Sequence, residues 1–160
     1  MHTRYTAEGT VTPSCSKSHI TYVVNIDDKI TNLNIDFSYE PKCLDDMEIS
    51  KHLIQGCLNT YCKDVNSYNQ EDWKAYLPLK NLLTLSIDGP DGFRGAAHRL
   101  VNHQQISISK ESATYGFIKG DMLPGRWIIT ISVHAVVTDH CTYKLHVWEG
   151  ESRDEDMDTL

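Results

Sequence analysis

The residues best suited to chemistry in this chain are charged or imidazole side chains gathered in one short stretch, 88–103. They are Asp88, Asp91, Arg94, His98, Arg99 and His103. Arginine donates fork-shaped pairs of hydrogen bonds to anions and hydroxyl groups, and histidine with aspartate can hold a metal ion. The stretch therefore predicts a candidate ligand-binding loop, with these six residues around one cleft.

The same stretch also has a purely structural interpretation. The segment DGPDG (88–92) contains the residues that tight turns need, and Gly92 and Gly95 allow dihedral angles closed to other residues. Loops between the strands of a sandwich often carry function, so both interpretations stay open at this point.

Metal binding is the second chemistry to consider, because the chain has eight histidines. His98 and His103 with Asp88 or Asp91 could form a small hydrolytic metal site. The sequence has no HxH or HExxH spacing, which a constrained metal site would show. We expect no bound metal and no cofactor, and keep a small metal-dependent hydrolase as an alternative.

Nucleophilic and phosphate-binding motifs are absent from the sequence. There is no GxSxG, GxGxxG or Walker pattern, and Ser86 sits in a strand alternation. His140 and Cys141 are adjacent, so on a strand they would point to opposite faces and make a poor catalytic pair. The sequence predicts no catalytic residue and no enzymatic activity.

The elements that must position these residues are mostly strands. Alternating or β-branched runs predict strands over Ser18–Ile26, 32–39, Lys80–Asp88, Gln104–Ser109, Gly125–Val137 and Cys141–Glu149. The period changes to that of a helix over 45–62, with Asp45 and Asp46 placed to cap its amino end.

These elements predict a mainly β chain. Short strands, polar turns and one helix indicate an antiparallel β-sandwich, jelly-roll-like, with a helical insertion at about 45–62. We expect one domain over 1–149 and an acidic, mobile tail over 150–160.

Two tryptophans on strands carry different expectations. Trp127 alternates with Ile129 and Ile131, so we expect it in the core. Trp148 alternates with polar residues, so we expect it to be exposed or to contact a partner domain. An exposed Trp148 with Arg94 and His98 would suit a carbohydrate-binding module, which is another alternative.

Charge and composition limit the partners. The net charge of −7 disfavours nucleic acid, and no apolar run is long enough to cross a membrane. The amino terminus resembles no secretory signal, and the five cysteines have no CxxC spacing. We expect a cytoplasmic protein with free, mostly buried thiols.

Three segments together resemble a known family. They are NLLTLSIDGPDGFRGAAHR (81–99), ATYGFIKGDMLPGRWIITISVHAVVTD (113–139) and YKLHVWEG (143–150). Over roughly Ser18 to Trp148 the chain resembles the amino-terminal β-sandwich of bacterial CehA/McbA-like proteins, in the PHP class of metal-dependent phosphoesterases and related hydrolases. In that family a metal-dependent barrel follows, beginning with an HxH motif.

The resemblance implies the accessory sandwich without its catalytic domain. His146 is followed by valine and tryptophan, so no HxH forms, and none of the family's metal ligands can be placed on this chain. We expect a non-catalytic module that binds an unknown small ligand or a protein partner, a separately encoded metallohydrolase being one candidate. A homodimerisation unit is a further alternative.

Overall fold

The fold is that of a computed structural model, which describes residues 1–62 and 70–150. The eight strands are β1 (His2–Val11), β2 (Ser18–Ile26), β3 (Asn32–Glu40), β4 (Leu82–Gly89), β5 (Gly92–Ala97), β6 (His103–Ser109), β7 (Gly125–Ala135) and β8 (Cys141–Glu149). One α-helix, α1, spans Met47–Tyr61, and short 3₁₀ helices span Pro13–Cys15 and Gln70–Tyr76.

The strands form two antiparallel sheets of four strands each. Sheet A has the order β1-β8-β3-β6, and sheet B has the order β2-β7-β4-β5. Strands that are far apart in the chain therefore pair in both sheets, β1 with β8 and β2 with β7. This is the nesting of a jelly roll, and it confirms the predicted mainly β, antiparallel sandwich.

The core lies between the two sheets and follows the period-two pattern of the strands. Leu33, Ile35 and Phe37 point inward from β3, and Leu145 and Val147 do so from β8, all of them buried. Trp127 is fully buried, as predicted, and its indole Nε1 donates to the carbonyl oxygen of Leu123 at 3.1 Å. The alternate residues of each strand are consequently left on the outer faces.

The predicted helical insertion is confirmed between β3 and β4. Its amino end is capped by Asp46, whose carboxylate accepts a hydrogen bond from the backbone N–H of Ile49 at 2.9 Å. The helix occupies Met47–Tyr61, inside the 45–62 range predicted from its hydrophobic period.

Two strands were missed by the sequence patterns. The inward positions of β1 include Ala7 and Gly9, which are too small to give a hydrophobic signal. Gly9 is small because the Tyr143 ring lies against it, and an added Cβ would overlap the phenol oxygen. The segment that forms β5 was assigned to a turn, but only Pro90 and Asp91 turn the chain before β5 begins at Gly92.

The loop 110–124 closes one side of the sandwich. The backbone N–H of Ala96 on β5 donates to Gly116 at 3.2 Å, and that of Thr114 donates to Ser107 on β6 at 2.9 Å. Since β5 and β6 are edge strands of different sheets, the loop covers both edges at once.

The cysteines agree with one part of the prediction and contradict another. All five are free, as expected. Only Cys141 is buried, and Cys57 is exposed, so the expectation that most thiols are buried was wrong. The reason is that Cys57 and Cys62 lie on the insertion outside the sandwich rather than between the sheets.

The predicted acidic tail lies outside the described residues apart from Gly150, whose carbonyl oxygen accepts hydrogen bonds from Asn32 and Asn34. Within the described ranges, no helix is long and apolar enough to cross a bilayer.

Candidate functional site

Arg94, the centre of the predicted ligand loop, is used internally. Its side chain is 5% exposed and bonds the Asp91 carboxylate at 3.0 and 3.1 Å. It also donates to the carbonyl oxygen of Asp121, and its guanidinium lies 5.5 Å from the centre of the Trp127 ring. The Asp91 pair lies within the β4–β5 hairpin, whereas the contacts with Asp121 and Trp127 join that hairpin to the loop before β7 and to β7 itself.

The other residues of the predicted loop are spread over both sheets. The ring of His98 packs edge-on against that of His134 on sheet B, with centroids 6.2 Å apart. Arg99 donates to the carbonyl oxygen of Tyr115 at 2.7 Å. His103 begins β6 on sheet A and pairs with Asp36, Nε2 to Oδ2, at 2.8 Å.

The two predicted carboxylates do not join the histidines. Asp88 faces outward on β4, opposite Phe93 of β5, and Asp91 lies in the turn with Arg94. Among residues 1–62 and 70–150 no group of three or more histidine, cysteine or acidic side chains is placed to hold a metal ion. The six residues predicted from the sequence therefore do not line one cleft.

A different set of chemistry-bearing side chains does come together, on the outer face of sheet A. The strand register sets them in two neighbouring rows: Thr6, His146, Asp36 and Gln105 in one, and Glu8, Lys144, Ser38 and His103 in the other. Each row crosses all four strands, so carboxylates, hydroxyls, an ammonium group and imidazoles share one surface. We call these two rows the polar face.

Several of these side chains are held in place by hydrogen bonds. Asp36 accepts from His103 and also from the Gln105 amide at 3.3 Å. His146 Nε2 is 2.9 Å from the Thr3 hydroxyl, and its ring stacks on Trp148 with centroids 4.7 Å apart. The central histidine of the face is therefore positioned by one contact at a ring nitrogen and one on a ring face.

Trp148 itself is covered, and its predicted exposure was wrong. The residue is 8% exposed because β8 is a central strand, with Thr3 on one neighbour and Asn34 on the other, and because His146 stacks on its ring. Its position on the outer face does follow the predicted alternation.

Two shallow depressions lie end to end on this side of sheet A. One, of about 420 Å³, is lined by Thr6, Ala7, Glu8, Asp36, Ser38, Lys144, Leu145 and His146. The other, of about 580 Å³, is lined by Glu40, Pro41, Lys42, Asn102, His140 and Thr142. Thr142 and Lys144 are consecutive outward positions of β8, so the two depressions neighbour each other along that strand, and we refer to them together as the groove.

A separate cavity beside α1 has the opposite chemistry. It measures about 560 Å³ and is lined almost entirely by apolar groups, among them Leu53, Ile54, Leu58 and Val136. Cys62 is also part of its lining.

The signal for the polar face was present in the sequence but incomplete. The alternations of β3 and β8 placed Asp36, Ser38, Lys144 and His146 on outward faces. What the sequence did not provide was the pairing of those strands, nor the existence of β1, which supplies Thr6 and Glu8.

Comparisons with known proteins add no functional information. No family model and no curated protein matches the chain. The chain is similar to a protein of known crystal structure from Sulfurospirillum deleyianum, with 9% identity and a TM-score of 0.31 over 91% of this chain and 99% of that one. The likeness to the CehA/McbA-like accessory sandwich therefore stays a prediction, and function must be argued from the geometry.

Proposed function

We propose that this protein is a non-catalytic binding module whose ligand site is the polar face of sheet A. The observation that supports the proposal is the convergence of hydrogen-bonding groups from four strands on one open surface with a groove along β8. Such a surface can contact a ligand through many groups at once, while the sheet beneath it keeps their positions fixed.

The absence of a catalytic role in this proposal follows from the chemistry of the face. The two carboxylates nearest the centre, Glu8 and Asp36, lie on strands separated by β8 and in different rows. Asp36 is already paired with His103. The Thr3 hydroxyl beside the face is 2.9 Å from His146 Nε2, but no acidic side chain of the described residues is hydrogen-bonded to that ring, so the oriented nucleophile–base arrangement that covalent catalysis needs is incomplete.

A protein partner is part of the same proposal. If the resemblance to an accessory sandwich holds, the module would present its ligand to a metallohydrolase encoded separately. In that case the polar face must stay accessible in the complex, because it is the surface that carries the ligand.

A ligand-detected NMR screen tests the proposed site. A library of neutral polyols, amino acids, dicarboxylates and short peptides is mixed with the wild-type protein and with the double variant Glu8→Gln/Lys144→Ala. We expect hits on the wild type that are lost or strongly reduced on the double variant. Phosphatase assays with p-nitrophenyl phosphate and added zinc or manganese should show no turnover.

A matched double variant on the other sheet provides the control. Thr21→Ala/Thr130→Ala removes two outward hydroxyls of sheet B and should leave all hits unchanged. Ligands that still bind the sheet A variant but no longer bind the sheet B variant would place the site on sheet B and contradict the proposal. Metal-dependent turnover of p-nitrophenyl phosphate would contradict the non-catalytic role.

A further inference from the structure

We infer that the ligand of the polar face is an extended, neutral oligosaccharide lying along β8. This inference rests on the proposed function and adds the class and the shape of the ligand. Four properties of the groove support it: its length, its mixture of donors and acceptors, its charge balance and the pairing of its strands.

The length of the groove fits a chain of sugar rings better than a single ring. His140 directly precedes β8, and the six steps from His140 to His146 along an extended chain span about 20 Å. His140 lines one depression and His146 the other, so a ligand of that length would reach both depressions. A few pyranose rings joined end to end cover this distance.

The groups along the groove match the hydrogen-bonding capacity of sugar hydroxyls. Each hydroxyl both donates and accepts, so a surface that binds many of them needs both kinds of partner. Lys144 only donates and the ionised carboxylates of Glu8 and Asp36 only accept, whereas Ser38 and Thr6 do either. These alternate across neighbouring strands rather than forming one patch of a single kind.

The charge of the groove favours a ligand without net charge. The carboxylates of Glu8, Asp36 and Glu40 line it together with the ammonium groups of Lys42 and Lys144. Three carboxylates thus face two ammonium groups, and a phosphate or uronate chain would meet a lining of net negative charge.

An extended peptide fits this surface less well. β3 and β8 are central strands, hydrogen-bonded on both sides, so neither offers a free edge to which a peptide could add as a new strand. The groove lining is also poor in the large apolar side chains that would bind peptide side chains.

The covered position of Trp148 affects the expected affinity. A flat, exposed aromatic ring would add stacking energy, but this ring is covered and supports His146. Binding must then come from several hydrogen bonds, each of modest net value, which predicts a dissociation constant of about 0.1–1 mM.

Calorimetric titration of the full chain tests the inference. The probes are cellotetraose, maltotetraose, xylotetraose and the tetramer of N-acetylglucosamine, each compared with its monosaccharide. At least one tetrasaccharide should bind in the predicted range, and about tenfold or more tighter than its monosaccharide. Failure of all four to bind, or equal affinity for the monosaccharide, would overturn the inference.

Matched variants locate the binding. Lys144→Ala and Asp36→Ala should each weaken the tetrasaccharide about 5–10-fold, because each removes a central hydrogen-bonding partner. His140→Ala should weaken the tetrasaccharide less than these two variants do, since it acts only at one end of the groove. Lys119→Ala, exposed on the loop 110–124, is the control and should bind like the wild type.

The outcomes separate this inference from the proposed function. One contrary result is that trigalacturonate or a Gly-Ser peptide binds more tightly than every neutral glycan, with that binding lost in Lys144→Ala. This result would overturn the inference about the ligand class, but it would leave the proposed binding site in place. Binding of a glycan that none of the sheet A variants weakens would contradict both. Circular dichroism of each variant confirms that a loss of binding is not a loss of folding.

Discussion

Arg94 joins the β4–β5 hairpin to the loop 110–124 and to Trp127 on β7. Replacing it with alanine removes two hydrogen-bonding partners and the stack on Trp127. We expect Arg94→Ala to lower the free energy of unfolding by about 2–3 kcal/mol, measured by urea denaturation.

Arg99 is the matched control for Arg94. It makes one hydrogen bond, to the carbonyl oxygen of Tyr115, which is exposed. Arg99→Ala should therefore cost about 1 kcal/mol or less. Equal losses for the two variants would show that Arg94 is not the structural residue described above.

The thiols of Cys141 and Cys57 should differ sharply in reactivity. Burial raises the pKa of Cys141 above its usual value, more than the hydrogen bond from Asn81 and the charge of Lys42 lower it. Cys57 is exposed. Iodoacetamide labelling followed by peptide mass analysis should modify Cys57 rapidly in the native protein and Cys141 only in urea. Rapid native labelling of Cys141 would contradict its burial.

Residue by residue, the sequence predicted the direction of a side chain better than its surroundings. The outward position of Trp148 and the inward position of Trp127 were both correct. The burial of Trp148 depends on neighbours from β1 and β3, and the internal role of Arg94 depends on Asp121, which comes 27 residues later. No local pattern contains those contacts.

At the scale of elements, replacing glycine with alanine should have opposite effects on stability at two positions. Gly95 on β5 has φ +122° and lies directly against Gly116 and Phe117, so a methyl group would be strained and would clash. Gly56 in α1 has open space around it. Gly95→Ala should cost about 2 kcal/mol or more, and Gly56→Ala should stabilise the helix by up to about 1 kcal/mol.

The urea midpoints of the two variants check this pair. The midpoint should fall for Gly95→Ala and should stay equal or rise for Gly56→Ala. A midpoint that is unchanged by Gly95→Ala would mean that β5 does not pack against the loop 110–124 as the structure has it.

The elements that the sequence predicted share a clear composition. β2, β7 and β8 are rich in β-branched or aromatic residues, and α1 carries an amphipathic stripe with an aspartate cap. β1 and β5 were missed because small residues occupy two inward positions of each, Ala7 and Gly9 in β1 and Gly95 and Ala97 in β5. Gly9 makes room for a tyrosine ring and Gly95 for a loop, so the packing that defines these strands also removes their sequence signal.

At the scale of the whole molecule, the first and last strands are fastened together by an ion pair. Burial raises the pKa of Glu149, but hydrogen bonds from Arg4 and His2 outweigh it and leave that pKa below its ordinary 4.5. A carboxyl group with a lowered native pKa contributes stability above its ordinary value, and this contribution is lost as the pH falls through the native value.

Glu149→Gln should therefore reduce stability at neutral pH and flatten its decline below about pH 4.5. Urea unfolding of both proteins between neutral and acidic pH measures the effect. Glu111→Gln, at an exposed position, should keep the wild-type profile. If Glu149→Gln keeps that profile as well, the ion pair does not link β1 to β8.

The sandwich could be predicted from the sequence because the alternation of apolar and polar residues is visible within each strand. The candidate site could not be predicted, because it depends on which strands pair with one another. The polar face joins residues from β1, β3, β6 and β8, which are brought together only by the jelly-roll order. The loop 88–103 gathers charged residues in the sequence, yet the fold distributes them over two sheets.

Amide chemical-shift mapping of the ¹⁵N-labelled protein, titrated with the best-binding tetrasaccharide, tests the central claim most directly. The account predicts that the largest shifts lie on β8 and on the facing parts of β1 and β3, from Thr6 and His146 at one end of the groove to Glu40 and His140 at the other. Shifts concentrated on sheet B or around α1, with sheet A unperturbed, would contradict it.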